Sequence, residues 1–368
     1  MRIGERLRHA RTAIGYTLDK VSAATNIGQS SLSDFENDKR EPRFSQLSRL
    51  AELYRRPLEF FLSEEGPVES TMLWRDPPEA ENQTKEVQGQ FRQLCEQYHR
   101  LEMLYGEQRN VAWHLPGAKR DAFTFRDACL LADEFGRKYL LGDIPSASLK
   151  QVLEEKFGVK VFHLDFPGSA ISTWSPTWGP AVLLNSTNKL WRRNFDLAHE
   201  LFHLLTWSVF RDANCASGKP EEHEEKLANA FASRLLLPTD SVKSRIEQSV
   251  GAGGRINMEA LDEIAREFAV SLEALLWRLV YLYNTPVEDI QKYVEQARRI
   301  RITRPPRQTD QPDRLPERYC SLAIRALNDG RLSLLQFAKY MGLSYKKAQE
   351  YLMDEGDLKD EEVAIPVA

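Results

Sequence analysis

The spacing of apolar residues changes several times along the chain. Up to about residue 64 it marks short amphipathic helices: Leu18, Val21 and Ala24 form one face, and Leu32 and Phe35 another. Over 84–106, Val87, Phe91, Leu94, Tyr98, Leu101 and Tyr105 recur at alternating spacings of four and three, a heptad stripe. That stripe predicts one long helix, facing either the chain's own core or a second copy. From 120 to about 285 the pattern predicts two helices near 124–140 and 146–157. Three short strands follow in "VKVFHLDF", "AISTWS" and "PAVLLN", and then further helices. The stretch "RLSLLQFAKYMGLSYKKAQEYL" reads as helix, glycine turn and helix.

Two polar stretches rich in breakers, 64–80 and 301–314, read as linkers and as the exposed places for cleavage. The acidic tail after 354 reads as mobile. The expected class is mainly α with a small β-sheet (α+β). Its expected parts are an all-α module at 1–64, a linker and long amphipathic helix at 65–119, an α+β domain at 120–285 and a C-terminal helical module at 286–368.

Composition narrows the function. The 368 residues suit two or three domains, and 42% hydrophobic with 28% charged residues fits a globular protein. The net charge of −4 is not that of a polycation, so any nucleic-acid surface is a local patch. Cys95, Cys129, Cys215 and Cys320 form no CxxC pair, which argues against a disulfide framework. "MRIGERLRHAR" has no apolar signal core, and no apolar run is long enough to span a bilayer. A cytoplasmic protein without a membrane partner is expected.

The stretch 17–44 carries the first chemistry. Thr17 can cap a helix, and Asn26 with Gly28 marks a turn. A second helix then turns Gln29, Ser30, Ser33 and Asp34 outward. Short polar side chains on an exposed helix can read base edges in a major groove, with Lys39, Arg40 and Arg43 on phosphates. Residues 1–64 hold 11 Lys or Arg against 9 Asp or Glu, a net of only +2. A module kept for protein contacts is therefore the alternative. Residues 3–62 resemble the lambda-repressor-like (XRE) helix-turn-helix family through "GERLRHAR", the glycine turn, "SLSDFEND" and "LAELYRRPLEFFL". The resemblance implies a five-helix domain that binds double-stranded operator DNA as a homodimer, with a buried pair between Arg11 and Glu36. The chain departs from the pattern at Leu18, where the family often has glutamine, and at Asp38, where it usually has glycine.

"NKLWRRNFDLAHELFHLLTW" carries the second. Leu197, Leu201 and Leu204 repeat at helical spacing, so His199 and His203 share a face. Both imidazoles can reach one zinc ion. Glu200 is turned about 100° from His199, beside the metal without ligating it, where it can act as base and then acid. Such a three-residue pattern arises by chance in about one chain in a hundred of this length. A buried helix with two satisfied histidines is the bland alternative. A catalytic zinc also needs a third protein ligand and an open position. In "EEHEEKLANAFASRLLLP" Glu225 is the best third ligand, on one face with Asn229 and Ala232. Glu221, Glu222, His223 and Glu224 remain alternatives, although a glutamate cluster is more often a solvated helix start.

"RRNFDLAHELFH" followed by "EKLANAFASRLLLP", with "PAVLLN" and "FAVSLEALLWRL", resembles the ImmA/IrrE family of zinc metallopeptidases over about 120–285. The resemblance implies a zincin-like fold with His199, His203 and Glu225 as Zn2+ ligands and Glu200 as base and acid, with Mn2+ as the alternative metal. It also implies cleavage of a repressor-type protein. Phe202 stands where that family has glycine, which would narrow the cleft, and Asp196 where it has threonine or serine. Arg278 and Tyr281 are guesses for a transition-state stabiliser. Three functions follow. The chain is a regulator that cleaves itself or a companion repressor, a transcription factor with a non-catalytic sensor domain, or an antitoxin-like component.

Overall fold

The computed structural model describes residues 2–62, 70–108, 119–211, 220–251, 254–303 and 311–350, without the side chains of 299–303. The part of the first linker at 63–69, the part of the second at 304–310 and the acidic tail lie outside them. The protein is mainly helical with one small mixed sheet.

Five helices open the chain: α1 (Ile3–Ala13), α2 (Leu18–Thr25), α3 (Gln29–Glu36), α4 (Phe44–Leu53) and α5 (Leu58–Leu62). They close around Leu7, Val21, Leu32, Phe35, Leu50 and Tyr54. Thr17 caps α2 by accepting from the Lys20 amide, and Asn26 ends it in the left-handed region at φ 56°.

The sheet contains β1 (Met72–Arg75), β2 (Lys160–Leu164), β3 (Ala170–Ser175) and β4 (Gly179–Asn185) in the order β1-β3-β4-β2. β3 runs antiparallel to β1 and β4, while β2 is parallel to β4. Strand β1 corrects the reading of 64–80 as linker throughout: Met72–Arg75 pair with Thr173–Ala170. Four residues with no long alternation give little local signal, so pairing about a hundred positions downstream decides their structure.

Both sheet faces are buried, as the nearly continuous apolar strands require. On one face Val161, Ala170, Val182 and Leu184 join α7 (Phe125–Lys138), α8 (Pro145–Phe157), α9 (Leu190–Leu205), α10 (Trp207–Phe210) and α11 (Glu222–Leu236). The same core takes in α12 (Thr239–Ser249), α13 (Met258–Glu267), α14 (Leu272–Tyr283) and the start of α15 (Val287–Thr303). On the other face Phe162, Ile171 and Leu183 meet α6 (Glu81–Tyr105), α16 (Glu317–Asn328) and α17 (Leu334–Met341).

The heptad stripe belongs to this second core. Val87, Phe91, Leu94, Tyr98 and Leu101 of α6 are all buried there, with Phe91 and Tyr98 edge-on to Phe162. The chain therefore spends the stripe on itself, and a coiled-coil seam with a second copy is not its use. The second linker is shortened as well. Residues 301–303 continue α15, and the carbonyls of Asp313 and Arg314 receive hydrogen bonds from His163 of β2. Among the described residues no helix is long and apolar enough to cross a membrane.

Candidate metal centre and nucleic-acid interface

Helix α9 places His199 and His203 one turn apart, both essentially without solvent exposure. Helix α11 packs beside it and adds Glu225. His203 Nε2 lies 3.1 Å from His199 Nε2. Glu225 Oε2 is 3.3 Å from His199 Nε2, and its Oε1 is 3.4 Å from His203 Nε2. Bonds of zinc length, about 2.0–2.1 Å, at tetrahedral angles separate neighbouring ligand atoms by roughly 3.3 Å. Two imidazoles and a carboxylate at this spacing fit a zinc ion.

The outer nitrogens are held too. His199 Nδ1 lies 3.1 Å from Asn229 Oδ1, and His203 Nδ1 lies 2.8 Å from Glu224 Oε1. With Nδ1–H donating in each case, both Nε2 atoms face the cluster. Arg211 donates to both oxygens of Glu224 at 2.7 and 3.0 Å. Burial pushes the Glu224 carboxyl up, but His203 and Arg211 outweigh it and hold it below the ordinary range.

Burial holds His199 down to about 3, so it is a neutral donor. Burial also opposes charge on His203, yet Glu224 and Glu225 dominate and raise it to about 9. Ligation of a metal at His203 would therefore release a proton. Burial pushes Glu225 up, but the two histidines win and keep it ionised far below its usual value. Glu200 sits beside them with both carboxylate oxygens buried and without a hydrogen bond of ordinary geometry. Burial raises it to about 7, against His203 and the neighbouring Ser172 hydroxyl.

The alternative ligands point elsewhere. Glu221 pairs with Arg120 and Glu222 with Lys226, while the ring of His223 stacks edge-on against Phe125. Glu224 is the informative one. Reading it as part of a solvated helix start is corrected, because it is 1% exposed and braces a candidate ligand. A signal was available: Glu224 lies in line with Leu227, Ala228, Phe231 and Leu235, the apolar face of α11.

Phe202 does not narrow the cleft. Its ring is buried among Phe123, Phe210 and Phe231, with centroids 5.6–6.1 Å away. Asp196 is fully buried, accepts from Ser169 Oγ at 2.8 Å and is paired with Arg75 and Arg192. Of the two guesses, Arg278 uses its donors on the Leu237 carbonyl and Thr239 Oγ1, and Tyr281 is 78% exposed. Neither has a contact with the cluster. Sequence reading missed Arg75, far from the motif in the chain, and Arg211, which lies shortly after the motif but beyond its helix.

The candidate nucleic-acid interface lies on α3. Gln29 and Ser30 are exposed at its start, Ser33 and Asp34 half-buried beyond them, and Lys39, Arg40 and Arg43 exposed after it. Gln29 Nε2 donates to Asp19 at 2.6 Å, which ties the start of α3 to α2. Arg11 donates from Nε and Nη2 to the two oxygens of the buried Glu36 at 2.6 and 2.9 Å. Asp38 adopts φ 55°, the left-handed conformation a glycine would take, and its carboxylate accepts from the Gly4 amide at 2.9 Å. That bond offsets the strain. A Cβ on Gly4 would overlap the Phe35 carbonyl, so a glycine is needed there.

Fold and site define a two-module protein: a helix-turn-helix bundle joined to an α+β domain with a buried His-His-Glu cluster. Residues 7–61 match the helix-turn-helix family, and residues 154–280 match the IrrE N-terminal-like domain, peptidase family M78. The chain carries both domains. The HTH-type transcriptional regulator ImmR of Bacillus subtilis is 35% identical over 65 residues, 18% of this chain and 51% of that protein. The match thus spans about half the length of that curated relative. A solved Mycobacterium tuberculosis transcriptional regulator aligns over 51% of each chain at 17% identity with a TM-score of 0.32. ComR from Streptococcus suis aligns over 98% of this chain and 97% of its own, at 12% identity and a TM-score of 0.17. Neither superposition is close enough to bear on fold or function.

Proposed function

We propose that this is a cytoplasmic DNA-binding transcriptional regulator whose IrrE-like domain is a zinc-dependent endopeptidase, acting on the chain itself or on a companion repressor-type protein. The observation that carries the reading is Glu200: a buried carboxyl group without a hydrogen bond of ordinary geometry, next in sequence to one member of a cluster spaced for zinc. A buried carboxyl group without a well-formed hydrogen bond is costly and persists where chemistry needs it. His199, His203 and Glu225 would hold a zinc ion, which would supply Lewis acidity towards a peptide carbonyl and water. Glu200 then takes the proton of the attacking water and hands it to the leaving amine nitrogen. Asn229 and Glu224 keep both histidines in the ligating tautomer. On the DNA side, Gln29, Ser30, Ser33 and Asp34 face base edges, and Lys39, Arg40 and Arg43 meet phosphates of an operator bound as a homodimer.

The test is intact-mass analysis of purified protein with zinc or manganese, with and without a helix-turn-helix repressor. Wild type yields new termini, while Glu200→Gln keeps zinc and yields none. Cleavage by Glu200→Gln at the wild-type rate overturns the reading. Deep burial favours a second reading, a metal-sensing domain without catalysis. Both histidines and Glu200 are at most 2% exposed, and Glu225, with a side chain 32% exposed, is the ligand nearest solvent. That reading predicts no new termini under any condition.

A further inference from the structure

The geometry points to Arg75 as a positioning residue for the metal centre: it sets the amide orientation of Asn229 and thereby the tautomer of His199. The inference rests on the zinc reading above.

Arg75 ends β1, and its pairing with Ala170 puts it on the sheet face that α9 covers. Its guanidinium is fixed at three points. Nε lies 3.1 Å from the fully buried Asp196, Nη2 donates to Asn229 Oδ1 at 3.3 Å, and the group stacks 5.2 Å from the Phe195 ring. Asn229 Oδ1 is also 3.1 Å from His199 Nδ1.

One amide oxygen thus faces two nitrogens. An arginine only donates, so the Asn229 group facing Arg75 must be the oxygen. That oxygen can only accept, so Nδ1 of His199 must carry the proton. Nε2 is then bare and faces the cluster. Turning the amide over would set its NH2 group against the guanidinium and let it donate to Nδ1. The His199 proton would move to Nε2, where it blocks ligation. Arg75 removes that second state. Strand β1 lies outside the matched span of 154–280, so the lock comes from the segment between the helix-turn-helix module and the metal domain.

The experiment is zinc affinity of the full chain by chelator competition at fixed pH, in a double-mutant cycle. Arg75→Met in the native background should weaken zinc about tenfold, within the usual range for residues behind a ligand. Asn229→Asp presents an acceptor whichever way it turns. In that background Arg75→Met should cost less than about threefold. Equal losses in both backgrounds, or no loss in either, overturn the proposal. Arg75→Lys keeps a donor on the strand and carries the comparison if Arg75→Met does not fold. It should stay within about threefold of its parent in both backgrounds, and a tenfold loss in either overturns the proposal. If wild type shows no zinc site removable by His199→Ala, the metal reading itself fails and this inference falls with it.

Discussion

Glu224 Oε1 lies 2.8 Å from His203 Nδ1, and Arg211 donates to both oxygens of the same carboxylate. The immediate sequence neighbour of a candidate ligand thus braces a different one. Truncation as Glu224→Ala leaves Arg211 buried without its partner, which costs about 3–5 kcal/mol. The milder Glu224→Gln should fold and weaken zinc about 10–100-fold. Chelator competition measures it; unchanged affinity would show that His203 needs no brace.

Phe202 is a core residue in a position where the resembling family has glycine. Its ring meets three other phenylalanines. Phe202→Ala should cost about 3–5 kcal/mol, and Phe202→Gly about 1 kcal/mol more from helix propensity. Denaturant melts decide the matter. A glycine variant as stable as wild type would place the ring outside the core.

His163 makes stability depend on pH. It is 4% exposed, and burial holds its folded pKa down to about 4 from an ordinary 6.5. Below 6.5 the unfolded chain takes up a proton that the folded chain refuses. Stability therefore falls as pH drops from 6.5 towards 4, by at most roughly 3 kcal/mol, and this contribution levels off below. His163→Gln should flatten the dependence of Tm on pH across that window. Parallel curves for the two proteins would remove His163 as the cause. The bond from Nδ1 to the Asp313 carbonyl, which ties the C-terminal helices to β2, survives protonation because an imidazolium still donates from Nδ1.

Phe91 tests what the heptad stripe is for. It is fully buried against Phe162 in the chain's own sheet. Phe91→Ala should lower stability by about 3–5 kcal/mol, and by the same amount at every protein concentration. A dimer seam would instead make Tm rise with concentration. Melts over a hundredfold dilution series separate the two.

Local features of the chain determined a good part of this. Period and capping residues located α2, α3, α7, α8 and the strands β2, β3 and β4, because helices and buried strands follow from neighbours a few positions apart. The four-residue spacing of His199 and His203 put both on one face by helix geometry alone, and the same rule aligned Glu225 with Asn229. What only the tertiary structure decided lies between elements. Helix period does not say which of two adjacent glutamates joins the two histidines as a candidate ligand and which backs a histidine; packing of α11 on α9 does. The partner of the α6 stripe, the inward turn of Phe202 and the strand at 72–75 all depend on contacts across long stretches of chain. Arg75 reaches Asn229 across 154 positions. No periodicity connects those two residues, and only the closing of β1 onto β3 brings a guanidinium to the back of the His-His-Glu cluster.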